Sequence, residues 1–250
     1  MTDDIPERDP LADLVSRSVG QRVPSVDVEV LPTAAGERKR LRFRTAAGDS
    51  SAIFDRAPRG DTTEAQLLPF LARKTDRVPS VHSRGIPPPH VALGPWVLVE
   101  DVYAGASACD DPLGIVRAKL AIERAVVQDL PALKALGVRE LTGLPEPLAS
   151  APRVLVHGDL VCANAVRVAR GVVLLGWRHA ALGPGVLDVA RLAQDLERAG
   201  RTAEAHAVRE VYAMESGLPN ALELMVRAGQ TVAAAKAVEE SPDSTGHRSG

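Results

Sequence analysis

The sequence predicts an α+β chain in two lobes, a small antiparallel sheet with one helix followed by a mainly helical lobe. Three observations carry this prediction. Between Ser25 and Phe54 apolar and polar side chains alternate with the period of a strand. Beyond about residue 104 the apolar side chains recur at helical spacing instead. With 250 residues and a hydrophobic fraction of 45%, the chain can bury one large core or two modest ones.

The elements follow in order. Residues 1–24 form an N-terminal segment, whose start, Met1-Thr2-Asp3-Asp4-Ile5-Pro6, lacks the basic and apolar regions of a secretory signal. Residues 25–103 form the first lobe. Val26, Val28 and Val30 alternate with Asp27 and Glu29, and Leu41 and Phe43 alternate with Arg38, Arg40, Arg42 and Arg44, which gives two strands. Ala46-Ala47-Gly48-Asp49-Ser50 is read as a turn into a third short strand, Ser51 to Phe54, completing an antiparallel meander. Asp61-Thr62-Thr63-Glu64 has capping-box spacing and opens a helix with Ala65, Leu67, Leu68, Phe70 and Leu71 on its apolar face. After the Pro-rich break Ile86-Pro87-Pro88-Pro89-His90, the run Pro95-Trp96-Val97-Leu98-Val99-Glu100-Asp101 reads as a buried strand. Residues 104–240 form the helical lobe. Ile115, Ile122, Val126, Leu130 and Leu133 line one helix face, with Pro131 placed to bend or end it. Three further helices are predicted over residues 187–199, 203–215 and 220–239, and residues 241–250 are read as a disordered tail.

Composition excludes several classes. A net charge of −2 argues against a dedicated nucleic-acid binder, and the four arginines from Arg38 to Arg44 share one strand face, read here as solvated surface. Two cysteines, Cys109 and Cys162, make neither a disulfide framework nor a zinc site and suit a reducing, cytoplasmic setting. No apolar run approaches membrane-spanning length, so no membrane partner is expected. Lysine occurs only at positions 39, 74, 119, 134 and 236, which limits where a lysine-dependent site could lie.

The most informative stretch runs from Val154 to Asn164. An apolar strand, Val154-Leu155-Val156, delivers His157-Gly158-Asp159, and Asn164 follows five residues after the aspartate. In phosphoryl transfer such an aspartate accepts the proton of the attacking hydroxyl, and such an asparagine holds a metal ion against nucleotide phosphates. A turn in which Asp159 only caps backbone amides is the bland alternative. A metal shared by His157, Asp159 and His179 matches no recognised ligand spacing.

A sheet-plus-helix lobe, a connecting strand and a helical lobe with this motif resemble the aminoglycoside phosphotransferase family, which has a bilobal protein-kinase-like fold. The motif core is Val156 to Asp159 with Asn164, together with Gly183-Pro184-Gly185-Val186-Leu187-Asp188 downstream. The resemblance implies ATP or GTP with magnesium as cofactor and a small hydroxylated molecule as acceptor. It makes Asp159 the catalytic carboxylate and Asn164 a metal ligand. It gives His157 and Asp188 the work of supporting the loop, and it has Glu100 and Val102 bracket the backbone that would bond adenine. Glu64 would pair with the family's phosphate-binding lysine.

Two positions depart from the family pattern. Gly176, in Gly176-Trp177-Arg178, stands where the family has its principal metal-binding acid. Asp55 stands at about the position of the lysine, and Arg56, one residue on, could replace it only through a register shift. Arg178 is a second cation that could meet phosphate. The segment that would cover the phosphates, residues 32–38, has one glycine and an acid, and is a weak cradle. The preferred reading is a pseudokinase-like protein with impaired or rearranged catalysis, binding a metabolite or a protein partner. The alternative is an active phosphotransferase using Asp159 and Asn164. Glu204, Glu210, Glu215 and Glu223 could attract a cationic acceptor, but solvated helix positions are the preferred reading.

Overall fold

The structure, a computed structural model, describes residues 9–33, 35–88 and 90–239. The chain divides into two compact units, residues 1–104 and 105–250.

The first unit begins with α1 (Pro10–Val19), an element absent from the sequence reading. Its signal is local: the Asp9 carboxylate accepts from the backbone N–H of Leu11 at 2.9 Å, Pro10 opens the first turn, and Gly20 ends the helix in the left-handed region. The meander follows as β1 (Asp27–Leu31), β2 (Glu37–Thr45) and β3 (Gly48–Arg56). The third strand starts three residues earlier than predicted, because only Ala46 and Ala47 are needed to turn the chain at Gly48. Next come α2 (Thr63–Leu71), β4 (Val81–Gly85) and β5 (Trp96–Glu100), and the sheet order is β1-β2-β3-β5-β4. One face of this sheet buries Leu41, Phe43, Ala52, Phe54 and Leu98 with Val15 of α1.

The other face corrects the view of the arginine stripe. Only Arg42 and Arg44 are exposed; Arg38 and Arg40 are half-buried and paired, Arg38 with Asp55 and Arg40 with Asp101 at 2.7 Å each. At the start of α2 the Asp61 carboxylate accepts the N–H of Thr63 at 3.4 Å, Thr62 makes no side-chain cap, and Glu64 is buried. A buried carboxylate needs a compensating charge, and Arg38 lies close enough to Glu64 to feel it.

In the second unit β6 (Ala106–Ser107) precedes α3 (Pro112–Val126) and α4 (Leu130–Ala135). Pro131 does not break a long helix. The chain leaves α3 at Val126 through a 3-10 turn, and Pro131 sits in the first turn of α4, where its missing N–H costs nothing. The unit continues with β7 (Arg139–Glu140), β8 (Arg153–Val156), β9 (Ala165–Val168), β10 (Gly171–Leu174) and β11 (Ala181–Pro184). It ends in α5 (Val186–Arg198), α6 (Thr202–Ser216) and α7 (Ala221–Glu239), each within a residue or so of its predicted span. Two small sheets, β10-β9-β6 and β7-β11-β8, frame the motif between β8 and β9, and α3 packs beneath β8 and β10. The predicted tail, residues 241–250, lies outside the described residues. Among those described, no helix is long and apolar enough to cross a membrane.

Candidate functional site

Strand β8 is paired with β11 from Arg153 to Val156, so it delivers His157 at a fixed point beside the start of α5. There the Asp188 carboxylate accepts two backbone donors, the N–H of His157 at 2.6 Å and that of Gly158 at 2.9 Å. Gly158 has φ of +83°, and a Cβ there would lie 2.2 Å from the backbone oxygen of His179. Glycine is thus required twice, by its dihedral and by the close approach of the neighbouring turn.

His157 is fully buried, and burial pushes its pKa below the ordinary histidine value against the pull of Asp188. The neutral ring fits both of its contacts. Nε2 lies 2.8 Å from the carbonyl of Leu175, and Nδ1 accepts the N–H of Asp159 at 3.3 Å. With Trp177 packed 4.6 Å from its ring, His157 bridges the motif and the end of β10.

Beneath this loop lies a charged cluster that the sequence reading missed. Lys119, with no exposed surface, pairs with Glu123 and with Asp188 at 3.3 Å, and donates to the carbonyl of Leu155 at 3.0 Å. Burial lowers the Lys119 pKa, but Glu123 and Asp188 outweigh it and keep the ammonium charged. Tyr212 of α6 donates to Glu123 at 3.2 Å. A signal existed in the sequence: Lys119 falls on the Ile115, Ile122, Val126 stripe, where a charge must find a partner.

Asp159 itself is partly exposed and held on both oxygens. Arg191 of α5 donates to Oδ1 at 3.1 Å, and Asn164 Nδ2 donates to Oδ2 at 3.1 Å and to the Asp159 carbonyl at 2.8 Å. The structure therefore brings Asp159 and Asn164 together and adds Arg191, which sequence spacing did not suggest. Asn164 is tied to the end of β10 by its carbonyl, which accepts from Leu175 at 2.9 Å. Gly176 comes next, with φ of +76°, and a Cβ built there would stand 3.6 Å from Asn164 Oδ1. That is ordinary contact distance. A side chain would have room beside Asn164, and none is there.

A kinase-type divalent cation does not fit these residues. Magnesium takes near-octahedral oxygen ligands, usually including one or two carboxylates. Asn164 offers one amide oxygen, Gly176 offers nothing, and both oxygens of Asp159 are engaged. Among the described residues no group of three or more His, Cys, Asp or Glu side chains is placed to hold a metal ion. Cys162, within the loop, has its thiol pushed up to about 12, chiefly by burial and then by a hydrogen bond with Cys109.

In the first unit the remaining candidates lie around β3. Asp55 is buried opposite Arg38 in regular register, and Arg38 Nε donates to its Oδ2 at 2.7 Å. Burial lowers the Arg38 pKa, but Tyr103 and Asp55 outweigh it and raise it overall, with a smaller contribution from Glu64. Tyr103, whose ring lies 5.4 Å from the guanidinium, is pushed up to about 12 by burial. The cation near Glu64 thus comes from β2, on the strand next to the one where a lysine was sought. Arg56 faces the other way. No bulge shifts its register, and it pairs with Glu37 at 3.0 Å and lies over Phe54. Glu100 ends β5, where its carboxylate accepts the N–H of Ser80 at 3.1 Å, and Val102 is buried in the 3-10 turn that follows.

A cavity of about 420 Å³ opens beside the motif, wholly within the second unit, with Asp159, Arg139, Arg191 and His179 among its polar lining and Leu141 and Leu187 among its apolar lining. The volume suits a small molecule.

No family model and no curated protein matches the sequence. Solved structures do match the fold. An aminoglycoside phosphotransferase, APH(3'')-Id from Streptomyces rimosus, aligns with a TM-score of 0.55 at 15% identity, over 88% of this chain and 96% of that one. The amicoumacin kinase hAmiN, solved with AMP-PNP, Ca2+ and amicoumacin, aligns with a TM-score of 0.55 at 12% identity, over 75% of this chain and 72% of that one. An ethanolamine kinase from Plasmodium vivax aligns with a TM-score of 0.50 at 10% identity, over 82% and 70%. With its two units, its five-stranded antiparallel sheet and its helix-supported His-Gly-Asp loop, the chain has the protein-kinase-like fold of the aminoglycoside phosphotransferases.

Proposed function

We propose that the chain is a pseudokinase-like small-molecule-binding protein, in which the phosphotransferase fold keeps its acceptor side while metal-dependent phosphoryl transfer is impaired. The observation that carries this reading is Gly176, a residue without a side chain at the point facing Asn164 Oδ1. Phosphoryl transfer is catalysed by positioning and charge neutralisation, so a missing metal carboxylate removes a main source of transition-state stabilisation. The Arg38–Asp55 pair points the same way. Asp55 already satisfies the nearest cation, so a phosphate approaching Arg38 would compete with an internal carboxylate. The names of the matching kinases, which specify amicoumacin, an aminoglycoside and ethanolamine, support a small molecule as the ligand.

The test is thermal unfolding with ATP and with GTP, each with magnesium and with a chelator. A ligand selective for the native state raises stability by about 2.7 kcal/mol at a hundredfold excess over its Kd. The reading requires that magnesium add nothing to any shift; a magnesium-dependent rise would overturn it.

A second reading, an active phosphotransferase with Asp159 as base, is favoured by one observation: Asp159 and Asn164 are hydrogen-bonded to each other at the edge of an open cavity. Under it, Asp159→Asn abolishes nucleotide-dependent transfer to a hydroxylated acceptor while leaving the unfolding midpoint nearly unchanged. Transfer that survives the substitution would eliminate this reading.

A further inference from the structure

The cavity beside Asp159 holds more cationic hydrogen-bonding capacity than its own residues consume. Of its carboxylates, Asp188 is spent on the N–H groups of His157 and Gly158 and on Lys119, and Asp159 is engaged by Arg191 and Asn164. Arg191 uses Nη2 on Asp159, lines the cavity and keeps 19% of its side chain exposed. Arg139, on the exposed short strand β7, makes no side-chain hydrogen bond or ion pair among the described residues. The side-chain donors of exposed Arg139 are therefore open to an anion in the cavity, where a charge-assisted contact is among the stronger hydrogen bonds.

Apart from Asp159 and Asp188, already engaged by Arg191, Asn164, Lys119 and backbone N–H groups, the glutamates that could attract a cation lie elsewhere. Glu204 pairs with Arg201, Glu210 with His206 and Glu215 with Arg117, and none of these, nor Glu223, lines the cavity. We infer that the cavity takes a small hydroxylated anion, a carboxylate or a phosphate monoester, with its charged head on Arg139 and Arg191 and a hydroxyl toward Asp159. Guanidinium groups suit both heads, since each presents paired oxygens to the planar donor fork. The inference rests on the reading of this cavity as the acceptor pocket.

The experiment uses the full chain without nucleotide or metal, and four probes of similar size: D-glycerate, glycerol 3-phosphate, neutral glycerol and cationic ethanolamine. Thermal unfolding and titration calorimetry report binding. At least one anion raises the unfolding midpoint, and glycerol and ethanolamine do not. Arg139→Ala, at an exposed position, unfolds like the unaltered chain but binds that anion at least about tenfold more weakly, the effect of losing one charge-assisted contact. Binding of glycerate alone assigns a carboxylate, and of glycerol 3-phosphate alone a phosphate ester. The inference is overturned if neither anion binds, if ethanolamine binds more tightly than both, or if Arg139→Ala leaves the anion's affinity unchanged. Because neither nucleotide nor metal is present, the result is independent of whether the metal site functions.

Discussion

The loop after β8 and the face of β3 use similar residues to opposite ends. In the loop, one buried carboxylate, Asp188, organises two backbone amides and a fully buried lysine. On β3, a buried carboxylate, Asp55, is instead paired across the ladder with Arg38 of β2. One carboxylate shapes a loop, and the other neutralises a neighbouring cation. Charges that hold the loop are in place, and under the proposed reading those that would hold metal and phosphate are missing at Gly176 and reversed at Asp55.

Substitutions can break or sharpen that contrast. The largest effect is expected at Asp188. Asp188→Ala orphans two backbone N–H groups and removes one of two carboxylates from Lys119, so urea unfolding should register a loss of about 3–5 kcal/mol. A loss under about 1 kcal/mol would mean that the network is not what holds the loop. Asp55→Ala should cost less, roughly 1–3 kcal/mol, because the Arg38 side chain keeps 19% exposure and can turn to water. If the two losses proved equal, the buried and half-buried pairs would not differ as described.

The smallest effect concerns pH. Burial depresses the His157 pKa, so in the window below the ordinary histidine value near 6.5 the unfolded chain binds a proton that the folded chain refuses. Its contribution is present in full above that value and is lost as pH falls toward the folded pKa, with a slope of at most about 1.4 kcal/mol per pH unit. His157→Gln should flatten this part of the stability profile. An unchanged slope between about pH 6.5 and pH 5 would assign the acid sensitivity to other groups.

What could be read from the sequence was what is local. The strand, triplet and asparagine from Val154 to Asn164 announce a functional loop because their spacing is itself the geometry, and the three C-terminal helices follow from periodicity. Arg191 and Tyr212 were not legible, because helix packing brings them to the site from 32 and 89 residues away from Asp159 and Glu123. Arg38 was read as surface for the same reason: its partner is set by cross-strand register and not by its own strand's alternation. Helix α1 and Lys119, in contrast, did leave local signals, an Asp-Pro start and a charge on an apolar stripe.

The central claim is that a missing carboxylate at Gly176 separates this site from a metal-using one, and its most direct test compares the unaltered chain with Gly176→Asp. Aspartate tolerates the left-handed conformation better than most residues, at a cost of about 1 kcal/mol. Unfolding of both proteins is followed with ATP plus magnesium and with ATP plus chelator. The account predicts a magnesium-dependent rise in midpoint for Gly176→Asp and none for the unaltered chain. An equal magnesium-dependent rise in both, or none in either, would contradict it.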